Sequence, residues 1–119
     1  MPKLRGNSLT MGLSGPYPLS EVRDYIDPGY MGVYVLSKDG RHRIYVGRSD
    51  ADLSQRLVQS ASMGDYSYFW FDYASSERDC YLKECRLYHK YNPPDNTVHP
   101  AVPPGASWRC PVSGCEWGY

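Results

Sequence analysis

The feature that most constrains this chain is a pair of apolar-aromatic runs. Gly32-Val33-Tyr34 continues to Leu36, and Tyr45-Val46-Gly47 is followed by Arg48, with the polar, glycine-closed break Ser37-Lys38-Asp39-Gly40 between them. Two β-prone runs joined by so short a polar connection pair as an antiparallel hairpin. The expected strands are 32–36 and about 42–47, which bring Tyr34 and Tyr45 to nearly matching heights on neighbouring strands.

The flanking segments supply what such a hairpin packs against. In Arg48-Ser49-Asp50-Ala51-Asp52-Leu53, Ser49 or Asp50 can cap a helix whose apolar stripe is Leu53, Leu57 and Ala61 and whose stop is Gly64. Arg56 lies one step off that stripe, at the edge where helix meets sheet. Residues 66–73 alternate with aromatic side chains in both phases, so this strand is central or covered on each side. Ser75-Ser76 opens a second helix, Glu77 to about Tyr91, with Glu77 and Asp79 at its positive end. That helix carries two apolar faces: Cys80, Glu84, Leu87, Tyr88 and Tyr91 on one, Leu82, Cys85 and His89 on the other. The sheet covers the first, and the tail must cover the second. Residues 92–119 hold too many prolines for regular structure, so an extended wrap pinned by Trp108 and Trp117 is expected. Ahead of the hairpin, residues 1–16 read as irregular and 20–25 as a short helical turn.

These elements define an α/β (α+β) chain organised as one domain. Residues 1–31 form a leader and brace, 32–96 a core with a small three-stranded antiparallel sheet flanked by helices, and 97–119 a Pro-rich tail. At 119 residues there is room for a single core. No apolar run is long enough for a membrane span and the start is polar, so a cytoplasmic protein without membrane contact is expected. Thirteen basic residues balance thirteen acidic ones. That balance argues against a strong non-specific grip on nucleic acid, so any such binding must use a local patch.

One residue breaks its own pattern. Glu84 places a carboxylate in the middle of an apolar helix face, where an unpaired charge is costly. Either an arginine pairs with it as a structural bridge, or it is a metal ligand. The cysteines raise a second question of this kind. In a reducing compartment four cysteines are core thiols or ligands more readily than disulfides. Cys80 shares the Glu84 face and reads as a core thiol. Cys85, Cys110 and Cys115, with His99 or His89 as a fourth group, have the composition of a closed tetrahedral zinc site that staples the tail to the second helix.

Gly32-Val33-Tyr34 with Tyr45-Val46-Gly47 resembles the paired signature of the GIY-YIG nuclease superfamily, and the order strand, strand, helix, strand, helix is similar to its fold. The family's basic residue after the glycine is matched by Arg48, its helical arginine by Arg56, its glutamate by Glu84, and its asparagine after a proline-containing turn by Asn96. The run from Glu84 to Asn96 is similar to the amino-terminal nuclease module of the bacterial excision-repair incision subunit. Departures are a link from Tyr45 to Arg56 one residue longer than in common relatives, Ser60 where some members carry histidine or tyrosine, and Asn92 as a competitor of Asn96. The resemblance implies a metal-dependent endonuclease acting on DNA, less readily RNA. Glu84 would hold one Mg2+ or Mn2+ ion, Tyr34 or Tyr45 would activate water, and Arg56 would clamp the phosphate. A neutral module of this size implies recruitment by a partner protein. The rival expectation keeps the fold as a non-catalytic nucleic-acid-binding or protein-interaction module.

Overall fold

In the computed structural model, which describes residues 12–115, the hairpin forms with a register that shifts the tyrosines apart. Strands β2 (Gly32–Ser37) and β3 (Tyr45–Ser49), which follow β1 (Ser14–Pro18) in the chain, run antiparallel to each other. Tyr34 faces Gly47 and Leu36 faces Tyr45, so the two phenols are diagonal rather than level. The cause lies in the connection. Ser37 Oγ accepts from the N–H of Asp39 and Gly40, and Asp39 Oδ1 accepts from those of Arg41 and His42. These bonds wind residues 38–42 into a loop and delay the start of β3 from 42 to Tyr45.

The sheet has four strands, not three. The leader, expected to be irregular, contributes β1 (Ser14–Pro18), which pairs antiparallel with β4 (Tyr68–Tyr73), and the strand order is β1-β4-β2-β3. With β1 on one side and β2 on the other, β4 is central, as its aromatic alternation requires. Phe69 and Phe71 point with Tyr34 and Leu36 to one face. There they meet Leu19, Val22 and Ile26 around the short helix α1 (Val22–Tyr25), and Leu53 and Leu57 of α2 (Leu53–Met63). Trp70 points with Val33, Val35 and Val46 to the other face, against Cys80 and Leu87 of α3 (Glu77–Tyr91). Burying side chains such as Leu53, Leu57 and Phe69 contributes roughly 1.5–3 kcal/mol each, which is what holds α2 to the sheet. The approach is close: a Cβ on Gly32 would lie 2.5 Å from the Asp72 carbonyl and 2.8 Å from Leu53 Cδ2.

Local capping sets both long helices. Asp52, rather than Ser49 or Asp50, caps α2 by accepting from the N–H of Gln55, because Ser49 Oγ is spent accepting from the N–H of Asp52. Gly64 ends that helix in the left-handed region at φ +78°. At α3, Ser76 accepts from the N–H of Asp79, whose carboxylate accepts in turn from that of Ser75. The tail from 92 to 115 has neither helix nor strand and lies over the outer face of α3, where Tyr81, Cys85 and Cys110 form a third core with Leu82, Val102, Trp108 and Val112 around it. Trp117, expected as a second anchor, lies outside the described residues. Among the described residues, no helix is long and apolar enough to cross a membrane.

Candidate functional site

Four elements converge on one open cavity of about 490 Å³, lined by Tyr34 of β2, Tyr45, Gly47 and Arg48 of β3, Arg56 of α2 and Glu84 of α3. Each arrives for a local reason. Tyr34 lies across the β2–β3 ladder over Gly47, where a Cβ would stand 2.5 Å from Tyr34 Cζ, so only glycine admits the ring. Arg56, off the buried stripe of α2, leans back to the sheet, with Nη1 3.5 Å from the Arg48 carbonyl oxygen, and lines the same cavity as Tyr34. Glu84 sits on the sheet-facing side of α3 and is 7% exposed.

The charges are closely matched. Arg48 Nη1 donates to Glu84 Oε1 at 2.5 Å, Nε to Asp50 Oδ1 at 3.0 Å, and Nη2 to the carbonyl of Ala101 at 2.6 Å. Glu84 therefore has an arginine partner through Oε1, while no described residue donates to Oε2. Burial raises the Glu84 carboxyl above the usual carboxylate range, even with Arg48 working in the opposite sense. For Arg48, burial disfavours the charge, but Glu84 and Asp50 outweigh it and the guanidinium is held more firmly charged. Tyr34 is pushed up to about 12, first by burial and then by the neighbouring Tyr45, with Arg56 opposing. The Tyr34 phenol is therefore held as a hydroxyl at neutral pH.

Asn96 does not line this cavity. Its side chain pairs with the free edge of β3, Oδ1 accepting from the N–H of Val46 and Nδ2 donating to the Val46 carbonyl, both at 2.9 Å. It stands in for a neighbouring strand between Tyr45 and Gly47 and blocks the exposed edge. Its reach is set by the chain on either side: the N–H of Asp95 donates to the carbonyl of Ile44.

A second cluster forms where the tail meets the end of α3. One ligand atom from each of His89, His99, Cys110 and Cys115 lies within 4.8 Å of all the others, so this His2Cys2 group could hold a metal ion such as zinc. His89 Nε2 and Cys115 Sγ each lie 3.4 Å from His99 Nε2. Tetrahedral zinc, with Zn–N of ~2.0–2.1 Å and Zn–S of ~2.3 Å, separates its ligand atoms by roughly 3.3–3.8 Å. His99 Nδ1 sits 2.8 Å from the Pro100 carbonyl, a contact that places the proton on Nδ1 and turns the Nε2 lone pair into the group. Burial and the facing His99 ring lower His89, keeping it neutral as a ligand must be. Cys85, expected among the ligands, is not one of the four, and His89 takes its place. One helical turn separates them: Cys85 lies under the tail against Tyr81 and Cys110, with burial pushing its thiol up to about 12, while His89 reaches the end where His99 and Cys115 arrive.

No protein-family model matches this chain, and neither a curated protein nor a solved structure matches it. The site must be read from its own geometry.

Two participants were not singled out from sequence. Asp50 is a second carboxylate in the cavity, reached by the tight turn after β3, and its spacing two residues beyond Arg48 was the available signal. Ala101 acts through its backbone carbonyl, for which no side-chain pattern exists.

Proposed function

We propose that this chain is a metal-dependent endonuclease that hydrolyses phosphodiester bonds in DNA, less readily RNA, with a GIY-YIG-type site. The observation that carries the reading is the meeting of Tyr34, Tyr45, Arg48, Arg56 and Glu84 in one cavity from four separate elements. Glu84, through the oxygen that Arg48 leaves unengaged and with Asp50 beside it, fits a hard divalent cation. A magnesium or manganese ion held there would supply Lewis-acid stabilisation of charge on the phosphate. Arg56 stands at the mouth as a two-pronged donor for the scissile phosphate. Arg48 compensates the carboxylates of Glu84 and Asp50, and would add a cationic donor at the wall of the phosphate-binding cavity. Tyr45, half-buried at the cavity wall, is assigned to take the proton of the attacking water, and Tyr34, held as a hydroxyl by its burial and the neighbouring Tyr45, to orient it. With net charge near zero, affinity for long nucleic acid is expected from a recruiting partner protein.

The test is cleavage of supercoiled plasmid and single-stranded DNA with Mg2+ or Mn2+, set against Glu84→Gln and Arg56→Ala. A wild type as inert as both variants, while nucleic acid is still bound, would sink the enzyme reading. It would also favour the second one, a binding module in which the Arg48–Glu84 pair is purely structural, an option supported by the direct contact between those two side chains.

We infer further that His89, His99, Cys110 and Cys115 hold a structural zinc ion that staples the tail to α3. A proline-rich segment without helix or strand, held otherwise by one small apolar cluster, gains stability from such a staple. Metal analysis of protein purified without chelator should return about one zinc per chain; a metal-free chain with a protease-resistant tail would end the idea.

A further inference from the structure

We propose that a hollow adjoining the candidate catalytic cavity is a subsite for a single unpaired nucleobase next to the phosphate being cut. The proposal rests on the nuclease reading and narrows its substrate to strands with an unstacked nucleotide at the cleavage point. The hollow, about 320 Å³, opens between the end of α2 and β2–β3 and shares Tyr34, Tyr45 and Arg56 with the phosphate-binding cavity. A group filling it and a phosphate filling its neighbour would therefore touch the same arginine from two sides. That is the arrangement of a base and its own phosphate.

The walls have the chemistry of a stacking site. Tyr45 stands between Tyr34 and Tyr66, with ring centroids 6.3 Å and 6.2 Å away and planes tilted by 34° and 35°, so three phenols form a row. Tyr66 is held in that row by its hydroxyl, which donates to Asp95 Oδ2 at 2.7 Å. Its ring is preorganised and has little rotamer freedom left to lose on binding. Met63 forms part of the opposite wall and is 72% exposed, a large apolar side chain for which the fold has no packing use. Asp65 and Ser60 place polar groups at the rim, suited to the edge of a base. The volume lies at the small end of the roughly 300–1,000 Å³ usual for ligand pockets, with room for one base and its sugar but not for a base pair.

Charge points the same way. Thirteen basic residues offset by thirteen acidic ones cannot grip a duplex through many phosphates. Stacking on aromatic rings is sequence-tolerant, needs no net charge, and is the usual source of affinity for single strands. A paired base cannot enter the hollow, so a loop, flap, gap or free strand is favoured over continuous duplex.

The test uses short oligonucleotides carrying 2-aminopurine at one position, either in a single strand or fully paired, with wild-type protein and no added divalent metal. The expected result is quenching of the single-stranded probe on binding, with the paired probe bound at least ~10-fold more weakly. Tyr66→Leu should weaken the single-stranded complex ~10-fold, and Tyr66→Phe, which keeps the ring but gives up the Asp95 hydrogen bond, should fall between Tyr66→Leu and wild type. Met63→Asp, at an exposed position that does not threaten folding, should weaken it in the same direction. Equal binding of paired and unpaired probes, no oligonucleotide binding, or full affinity in both Tyr66→Leu and Met63→Asp would overturn the proposal. The two readings fail separately. If the wild type cuts plasmid with Mg2+ and these variants bind and cut as well as it does, the subsite falls while the nuclease stands. If the unpaired base is bound and quenched but nothing is cut, the subsite stands and the nuclease reading falls.

Discussion

Helix α3 sends two adjacent residues, Lys83 and Glu84, to the same sheet, and each makes an ion pair there. Lys83 Nζ donates to Asp72 Oδ2 of β4 at 3.0 Å and to the Tyr73 carbonyl at 2.7 Å, with Asp79 Oδ2 at 3.6 Å. The side chains of this Lys83–Asp72 pair are 2% and 4% exposed. Glu84 pairs with Arg48 of β3, and that pair instead opens onto the large cavity with Asp50, Arg56 and two phenols around it. The first pair is sealed and its ammonium has acceptors on three sides, so no room remains for a ligand. The second leaves a carboxylate oxygen and a guanidinium beside open space. A charge on an apolar helix face is therefore no sign of chemistry by itself, and what marks Glu84 is the unfilled volume beside it.

Substitutions can break this contrast. Glu84→Gln should lower cleavage of plasmid or single-stranded DNA by roughly 10³-fold or more, since it removes the proposed metal carboxylate. Its chemical denaturation midpoint should stay near that of wild type. A large loss of stability with no cleavage to lose would place Glu84 in the same class as Lys83. Lys83→Met should do the reverse. It strands a buried Asp72 charge and should cost roughly 3–5 kcal/mol in urea unfolding. The double variant Lys83→Met with Asp72→Leu should recover most of that, because a matched apolar pair needs no desolvation of charge. A Lys83→Met variant as stable as wild type would show that this pair is not sealed.

The tail sharpens the comparison, because it serves the open pair and not the sealed one. Between Asn96 and Ala101 it closes the β3 edge, supplies His99 to the His2Cys2 group and places a carbonyl on Arg48. Cys115→Ser should abolish binding of the proposed zinc and speed chymotryptic cutting of residues 97–115 by ~10-fold or more, with the sheet core left intact. It should also reduce cleavage of DNA, while the urea midpoint of the core moves little. Unchanged proteolysis would mean that the third core alone holds the tail. The smallest effect is expected for Asn96→Ala, which removes two hydrogen bonds to Val46 and should cost about 1–2 kcal/mol. A loss of cleavage as deep as that of Glu84→Gln, with binding kept, would instead put Asn96 in the chemistry.

Much of the fold was legible because its signals are local. The helix from Glu77 to Tyr91 follows from Ser76, the acidic first turn and the spacing of Cys80, Glu84 and Leu87, all within reach of one another along the chain. The central place of β4 follows from aromatic residues in both phases. Residues 14–18 gave no such signal, for with Gly15 and Pro16 the segment has little β-propensity and becomes a strand only because β4 offers it an open edge. Of the candidate site, Glu84 stands out by breaking its own helix face, and Tyr34, Tyr45, Arg48 and Arg56 are singled out through the resemblance of their motifs. Asp50 offered only its nearness to Arg48 along the chain, and the Ala101 carbonyl offered no signal, since neither breaks a local pattern.

By itself, then, the sequence determined that α3 has two apolar faces, that one carries a misplaced glutamate, and that a cysteine-bearing tail must cover the other. Those statements rest on helical periodicity, which is a property of neighbours along the chain. Only the tertiary structure decided that Lys83 is sealed against Asp72 while Glu84 faces open volume, that Tyr34 lies over Gly47, and that His89 rather than Cys85 meets His99 and Cys115. Each of these turns on one helical turn or one step of register between segments distant in sequence, and packing across the molecule is what sets distances of that size.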